Sequence, residues 1–210
     1  MRLFEPERIF EPPAPVVAAA EIPRDAEGWQ DLIGALDRAD VINRGKGWRI
    51  DGGVLTSPTT TFASLHLPGN AVEASYQLRL KVRQLPGRNG LNLRLPVGRR
   101  MVSFDLDAIP SGTPVTILGK NDGRLGRDGP GVSLGKKVHD NAVHALELTF
   151  RLEGADAHFT ATLDGAPVCT WSGPLASLSV NAYWSVVPGV ITLGTNGTSW
   201  EVSEFKLRRL

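Results

Sequence analysis

One stretch of strictly alternating polarity, AVEASYQLRLKVRQL at residues 71–85, constrains the fold more than any other feature of the chain. Successive side chains of a strand point to opposite faces, so a period of two predicts one long strand with a buried side and a solvated side. A helix would scatter the apolar residues around its whole circumference. Glu73, Arg79 and Lys81 are expected to face solvent, and a second layer must cover the apolar face. The residues predicted to be buried are Val72, Tyr76, Leu78, Leu80 and Val82.

Shorter alternating runs separated by turn residues follow and precede this strand. Asp51-Gly52-Gly53 and Asn196-Gly197 tolerate the positive φ of tight turns, and each predicts a β-hairpin, the second joining ITLGT to SWEVSEFKL. The alternation changes phase near residues 203–204, which predicts a bulge in the last strand. About ten to twelve short strands with turn signals between them predict an all-β, two-layer antiparallel β-sandwich.

The N-terminal part of the chain has a different character. Residues 1–27 are proline-rich and predict an extended arm, which is either a disordered tail or a segment that docks on the body or on a partner subunit. Near-helical spacing of apolar residues predicts a short helix at residues 28–42. The predicted domains are the arm, 1–27, and the sandwich, 28–210. The apolar contacts of a docking arm are expected from Phe4, Ile9 and Phe10.

Composition excludes several classes of function. Lys and Arg number 23 against 22 Asp and Glu, so nothing indicates a nucleic-acid partner. The one cysteine, Cys169, forms no intramolecular disulfide and favours a reducing compartment. No stretch resembles a signal peptide or spans a bilayer, so we expect a cytoplasmic protein away from membranes. A chain whose leader had been removed would look the same.

Catalytic and metal-binding motifs are weak. The four histidines form no metal-ligand spacing and are expected to be structural, no cofactor is implied, and no GxSxG or Cys-His pattern indicates a nucleophile. Cys169 is expected to be an inert core thiol. Asp105 and Asp107 share one strand face with Ser103. They are either an acid and nucleophile pair, a cation site, or simply the solvated side of an amphipathic strand.

Two irregular stretches are the candidate binding elements. Residues 119–137 form a glycine-rich, locally basic loop, and long loops on rigid β scaffolds often carry binding. An irregular segment near residue 183 carries two aromatics that either stack on a sugar ring or plug the edge of the sandwich. The candidate binding residues are Tyr183, Trp184, Asn121, Asn181, Arg124 and Arg127.

The order of these features resembles the concanavalin A-like lectin/glucanase superfamily, and within it laminin G-like modules and the bacterial 3-keto-disaccharide hydrolase-type domain. The resemblance is carried by the hairpin GWRIDGGVLTSP, by the alternating run Leu146 to Leu152, by Phe159 to Gly165 with its Asp-Gly turn, and by Trp171. It covers about residues 28–210. It implies a jelly roll of two curved sheets that often presents a carbohydrate-binding concave face. The Glu-x-Asp-x-(x)-Glu run of the superfamily's retaining glucanases is missing here.

Three functions remain open on this basis. A non-catalytic binding module for carbohydrate or a protein partner ranks first, because the fold is suitable and the glucanase run is missing. A hydrolase acting on a glycoside or keto-sugar derivative ranks second, with Asp105 and Asp107 as the carboxylates to test. A structural or assembly domain, forming a homo-oligomer through the N-terminal arm, ranks third.

Overall fold

The computed structural model describes residues 21–36, 41, 47–68, 74–109, 112–121, 131–139, 141–180 and 186–210. Within these residues the secondary structure is almost entirely β. The strands are β1 (Gln30–Asp31), β2 (Arg49–Asp51), β3 (Val54–Thr56), β4 (Ala63–His66), β5 (Tyr76–Gln84), β6 (Leu91–Val97), β7 (Arg100–Ala108), β8 (Val115–Leu118), β9 (Lys120–Asn121), β10 (Ser133–Leu134), β11 (Val143–Glu153), β12 (Asp156–Leu163), β13 (Ala166–Pro174), β14 (Leu178–Ser179), β15 (Thr192–Thr195) and β16 (Trp200–Arg209).

Two antiparallel sheets form the layers of the predicted sandwich. The eight-stranded sheet has the order β13-β12-β11-β5-β16-β3-β2, with β1 also paired to β16. The six-stranded sheet has the order β10-β8-β7-β6-β15-β4, and β14 pairs with β9 in a separate small ladder. The described residues contain a single 3-10 turn, Leu175–Ser177, which lies directly before β14. No helix in the described part of the chain is long and apolar enough to cross a membrane.

The long alternating stretch forms a strand, as predicted, and it lies at the centre of the eight-stranded sheet. It is β5, and its inward side chains Tyr76, Leu78, Leu80 and Val82 are fully buried. Arg79 and Lys81 on the other face keep 41% and 54% of their side chains exposed. Val72 and Glu73 lie outside the described residues. The register predicted from the period of two is therefore confirmed for the described part of the strand.

The predicted bulge in the last strand is also present. The pairing of β16 with β5 shifts register between Val202 and Glu204. Because the extra residue reverses the alternation, side chains of both parities reach the core. Trp200 and Val202 before the bulge, and Phe205 and Leu207 after it, are all buried.

The hairpin predicted at Asn196-Gly197 is wrong. Strand β15 belongs to the six-stranded sheet and β16 to the eight-stranded sheet, so this turn carries the chain from one layer to the other. Gly197 does have the positive φ that the motif suggested, at 70°. Each flanking strand finds its partners elsewhere in the chain, which a local turn signal does not reveal. The hairpin predicted at Asp51-Gly52-Gly53 is confirmed as the β2–β3 pair.

The helix predicted at residues 28–42 is not supported. Gln30 and Asp31 form β1 on β16, and a turn follows in which Asp31 Oδ1 accepts the backbone N–H groups of Ile33 and Gly34. This side-chain bond to nearby backbone competes with helix formation. The apolar residues of the segment are nevertheless buried, with Leu32 at 0% exposure. Residues 37–40 and 42–46 lie outside the described residues, as do Phe4, Ile9 and Phe10 of the arm.

Candidate functional site

The outer face of the six-stranded sheet carries polar side chains in two neighbouring cross-strand rows. The inward parity of these strands, including Leu93, Phe104 and Leu193, fills the core, so the opposite parity points away from it. We call this surface the polar face. Its rows are His66–Thr192–Arg94–Ser103 and Ser64–Gly194–Asn92–Asp105.

An ion pair joins the two rows. Arg94 Nη1 lies 2.9 Å from Asp105 Oδ1, and the two side chains are only 1% and 9% exposed. The same Nη1 donates to the carbonyl of Leu93 at 2.8 Å. Taking two charges out of water costs several kcal/mol per ion, and their attraction often only offsets that cost. Such a pair is therefore weak evidence for a contribution to stability.

Other members of the polar face are also hydrogen-bonded. His66 Nδ1 lies 2.8 Å from Thr192 Oγ1, and the Asn92 amide donates to the carbonyls of Gly90 and Gly194. Thr192 is 1% exposed, whereas His66 is half-buried at the edge strand β4. Each side chain is thereby fixed in place by its own strand and its neighbours, which is the pre-organisation that a binding surface needs.

Asp105 and Asp107 have different partners in the structure: Asp105 contacts Arg94, and Asp107 contacts the segment before β11. Asp107 lies at a register shift between β7 and β8 and has φ of 53°. Its carboxylate accepts the backbone N–H groups of Lys137 and Val138 at 2.8–2.9 Å, so it holds that segment against the sheet. Burial raises the pKa of Asp107, opposed by these two hydrogen bonds. The two carboxylates do not lie on a solvated face, since Asp105 is 6% and Asp107 2% exposed.

The two stretches predicted to carry binding meet at one small ladder. Asn121 of β9 pairs with Leu178 of β14, and Lys120 pairs with Ser179, so the described ends of both stretches are neighbours. The ladder adjoins the polar face, because the Gly119 N–H donates to the Ser103 carbonyl at 2.5 Å. Five of the six predicted binding residues lie outside the described residues, and only the backbone of the sixth, Asn121, is described. The five are Tyr183, Trp184, Asn181, Arg124 and Arg127.

His144 has the structural role predicted for it. Its Nδ1 lies 2.6 Å from Asp164 Oδ2, and its Nε2 accepts the backbone N–H of His139. A carboxylate only accepts, so the ring proton sits on Nδ1. His139 precedes β11, and the centroids of the His139 and His144 rings lie 6.0 Å apart. In the described residues no group of three or more His, Cys, Asp or Glu is placed to hold a metal ion.

Cys169 is not a reactive thiol. It is buried on β13 and donates to the Gly131 carbonyl at 2.7 Å. Burial raises the pKa of the thiol to about 12, which keeps it protonated near neutral pH.

Sequence reasoning named Ser103 and Asp105 but missed the other residues of the polar face. It gave no role to Asn92 and Arg94, which alternate with the core leucines of β6. The signal was present, because polar residues on the second parity of a central strand define a second face. The sequence did not show that His66, Arg94 and Asp105, which come from three separate strands, share that face.

Comparison with known proteins places the fold. No protein-family model matches the sequence, and no curated protein matches it. Among solved structures, a legume lectin-like domain from Entamoeba histolytica superimposes with a TM-score of 0.51 at 10% identity, over 78% of this chain and 87% of that one. The Ca²⁺-bound exoplasmic/lumenal domain of VIP36 gives 0.50 at 10% identity, over 78% and 81%.

A third structure extends the likeness over more of this chain. The GH43 protein BlXynB from Bacillus licheniformis gives a TM-score of 0.51 at 10% identity, covering 90% of this chain and 40% of that one. At such identities the likeness concerns the fold alone. That fold is the concanavalin A-like jelly roll expected from the sequence.

Proposed function

We propose, from the premise that this chain has the concanavalin A-like fold, that it is a module that binds carbohydrate without cleaving glycosidic bonds. The observation that carries the proposal is the polar face, which adjoins the β9–β14 ladder where both candidate binding stretches begin. A sandwich stabilised only by packing has no need of a buried ion pair and fixed amides on the outside of one sheet.

Sugar chemistry suits such a surface. Each hydroxyl of a sugar donates and accepts, so it pairs well with the side chains of Asn, Asp, Arg and His. Arg94 and Asp105 are too buried to reach a ligand themselves, and we assign them the role of holding the face rigid. In this proposal the contacts come from His66, which is half-buried at the edge of the polar face, and from the neighbouring β9–β14 ladder.

The outer face of the other sheet has a simpler explanation. Arg79 pairs with Glu147, Arg83 with Glu201, and Lys81 with Glu204, and all of these side chains are partly exposed. Cross-strand pairs of opposite charge are an ordinary way to solvate a sheet. Those charges satisfy one another, so they do not point to a carbohydrate ligand.

The ligand contacts that we propose are those predicted from the sequence. Trp184 or Tyr183 would stack on the apolar face of a sugar ring, while Asn121 and Asn181 would pair with its hydroxyls. Arg124 and Arg127 would favour a ligand carrying carboxylate or sulfate, in a salt-dependent way.

A glycan-array screen followed by calorimetry tests this proposal. Trp184→Ala should abolish binding with the fold retained, and Arg124→Ala with Arg127→Ala should weaken it most at low salt. The matched control is Arg99→Ala with Arg100→Ala, two exposed basic residues in the β6–β7 turn and at the start of β7. The proposal fails if no glycan binds, or if Trp184→Ala binds as well as the wild type. Asp105→Asn and Asp107→Asn assayed on glycosides should reveal no glycosidase activity to lose.

A further inference from the structure

Three side chains on the outer face of the eight-stranded sheet form a continuous hydrogen-bonded chain. Ser172 Oγ lies 2.7 Å from His158 Nδ1, and His158 Nε2 lies 3.1 Å from Glu153 Oε2. This Ser-His-Glu chain is far in sequence and structure from the polar face, since it is built on β11, β12 and β13 at one end of the other sheet.

Sheet register assembles the chain. His158 and Ser172 are direct cross-strand partners on β12 and β13, and Glu153 ends β11 just before the turn into β12. Ala157, Phe159 and Trp171, on the other parity, are buried, so His158 and Ser172 face outward.

Stability does not account for this arrangement. The His158 and Glu153 side chains are 44% and 66% exposed, and Ser172 is also exposed. Polar pairs between such exposed groups contribute about 0–1 kcal/mol. None of these three side chains packs into the core.

The order of the three groups fixes the position of the ring proton. The ionised Glu153 only accepts hydrogen bonds, so His158 carries its proton on Nε2. The lone pair of Nδ1 is then directed at the Ser172 hydroxyl, which donates to it. A hydroxyl bonded to a base that a third group orients is the arrangement that activates a serine nucleophile.

The backbone adds a donor next to this hydroxyl. Along an antiparallel ladder, hydrogen-bonded residue pairs alternate with pairs that are not hydrogen-bonded. Ala155 and Leu175 are a hydrogen-bonded pair, because the Leu175 N–H donates to the Ala155 carbonyl. By that alternation, the N–H of Ser172 points away from β12, toward the edge of the sheet. Pro174 has the same parity, which fits, because proline has no N–H to give to the ladder.

We propose that Ser172, His158 and Glu153 are an acyl-transfer site that hydrolyses esters of short acyl groups. Ser172 Oγ attacks the ester carbonyl carbon while its proton moves to His158 Nδ1, and the backbone N–H of Ser172 faces the developing oxyanion. The C–O bond to the leaving alcohol breaks, and that alcohol takes the proton from His158. Water then attacks the acyl-serine, gives its proton to His158, and releases the carboxylic acid as the proton returns to Ser172.

The surroundings set the class of substrate. The site is an open sheet surface next to Gly154, Ala155 and Gly173, so no wall of side chains from these residues encloses a long acyl chain. Short acyl esters that protrude from their carrier fit such a surface. Arg151, the cross-strand partner of His158 on β11, and Asp156 are the other charged groups at this end of the three strands.

Two probes test the proposal on the full-length protein: p-nitrophenyl acetate hydrolysis, and labelling by a fluorophosphonate read by peptide mass spectrometry. The wild type should be labelled at Ser172. Ser172→Ala should lose both signals, and His158→Gln should lower both rates by about 100-fold or more. The matched control is Ser177→Ala, since Ser177 is a nearby hydroxyl that donates to the Pro174 carbonyl and has no histidine partner. All three variants alter surface or half-exposed residues, and equal melting temperatures would confirm that they fold.

Glu153 is a positioning residue and has its own readout. Glu153→Gln presents an amide that can donate or accept, so it no longer imposes the Nε2–H tautomer. Nitrogen NMR of the His158 ring should report Nε2–H in the wild type and a mixture in this variant, together with slower labelling. The proposal is overturned if Ser172 of the wild-type protein is labelled no faster than Ser172 of the His158→Gln variant. It is also overturned if other serines are labelled as fast as Ser172. A wild-type ring with its proton on Nδ1 overturns it independently.

Discussion

Arg94 and Asp105 form a buried ion pair on the outside of the six-stranded sheet, with 2.9 Å between Nη1 and Oδ1. They come from neighbouring strands but are not direct partners, because Arg94 pairs with Ser103 and Asp105 with Asn92. The pair is therefore a diagonal contact that links the two rows of the polar face. A solvated strand face, one of the alternatives that the sequence left open for Asp105, is not observed, because both side chains of the pair are buried.

Breaking this ion pair should be costly. Arg94→Ala leaves the Asp105 carboxylate buried without its charge partner, and such changes typically cost about 3–5 kcal/mol. The double variant Arg94→Leu with Asp105→Leu should cost clearly less, since no isolated charge remains. Urea titrations measure both free energies of unfolding. A double variant as unstable as Arg94→Ala would contradict the assignment of the cost to the unpaired charge.

The register of β5 predicts opposite outcomes at positions on its two faces. Leu78 is fully buried, so Leu78→Ala should lower the free energy of unfolding by about 2–5 kcal/mol. Lys81 pairs only loosely with Glu204, at 3.7 Å on the surface, so Lys81→Ala should cost about 1 kcal/mol or less. Denaturant titrations that gave the same loss for both variants would refute the register.

The turn at Asn196-Gly197 is held by Thr198 rather than by a hairpin ladder. Its buried Oγ1 accepts the backbone N–H groups of Arg88 and Asn89, which lie in another connection between the two sheets, that from β5 to β6. Thr198→Val keeps the shape but removes the acceptor of two partly buried N–H groups, so we expect a total loss of about 1–3 kcal/mol. Thermal and urea unfolding should show that loss. The exposed Thr60→Val, in the loop before β4, is the control and should change little.

Asp164 should contribute to a loss of stability in acid. The N–H of Ala145 and, next, the His144 side chain hold the pKa of Asp164 below its ordinary value of 3.8. Its folded pKa is the lower one, so its contribution is present above the unfolded value and disappears as pH falls through the folded value. Asp164→Asn should flatten the fall of stability below about pH 4. Asp107, whose pKa is raised, has the opposite sign, so Asp107→Asn should not flatten this fall.

The N-terminal arm remains a prediction as a docking element. If Phe4, Ile9 and Phe10 pack on the body or on a partner subunit, deleting residues 1–20 should lower the melting temperature or the mass in solution. The deletion stops there because Ile22 is buried and its carbonyl accepts the Gln30 side-chain amide. Phe4→Ser with Ile9→Ser and Phe10→Ser tests the same contacts in a chain of full length. Unchanged melting temperature and mass in both variants would show that the arm does not dock.

The sequence by itself determined the class of fold, the core face of β5, the bulge in β16 and the β2–β3 hairpin. All of these follow from local rules: the alternation of side chains along a strand, and the residues that tolerate positive φ. Where the sequence suggested a hairpin at Asn196-Gly197 or a helix at residues 28–42, the local signal was real. Long-range pairing overrode it, because β15 and β16 gain more from partners in different sheets and β1 from pairing with β16.

Only the tertiary structure decided which polar residues lie next to one another. Asn92, Arg94 and Asp105 become one surface because sheet register sets their strands side by side, and register depends on pairing between segments far apart in the chain. The same holds for Ser172 and His158, which are 14 positions apart yet direct partners on adjacent strands. A period of two tells which face a side chain takes, but not which neighbours it meets there.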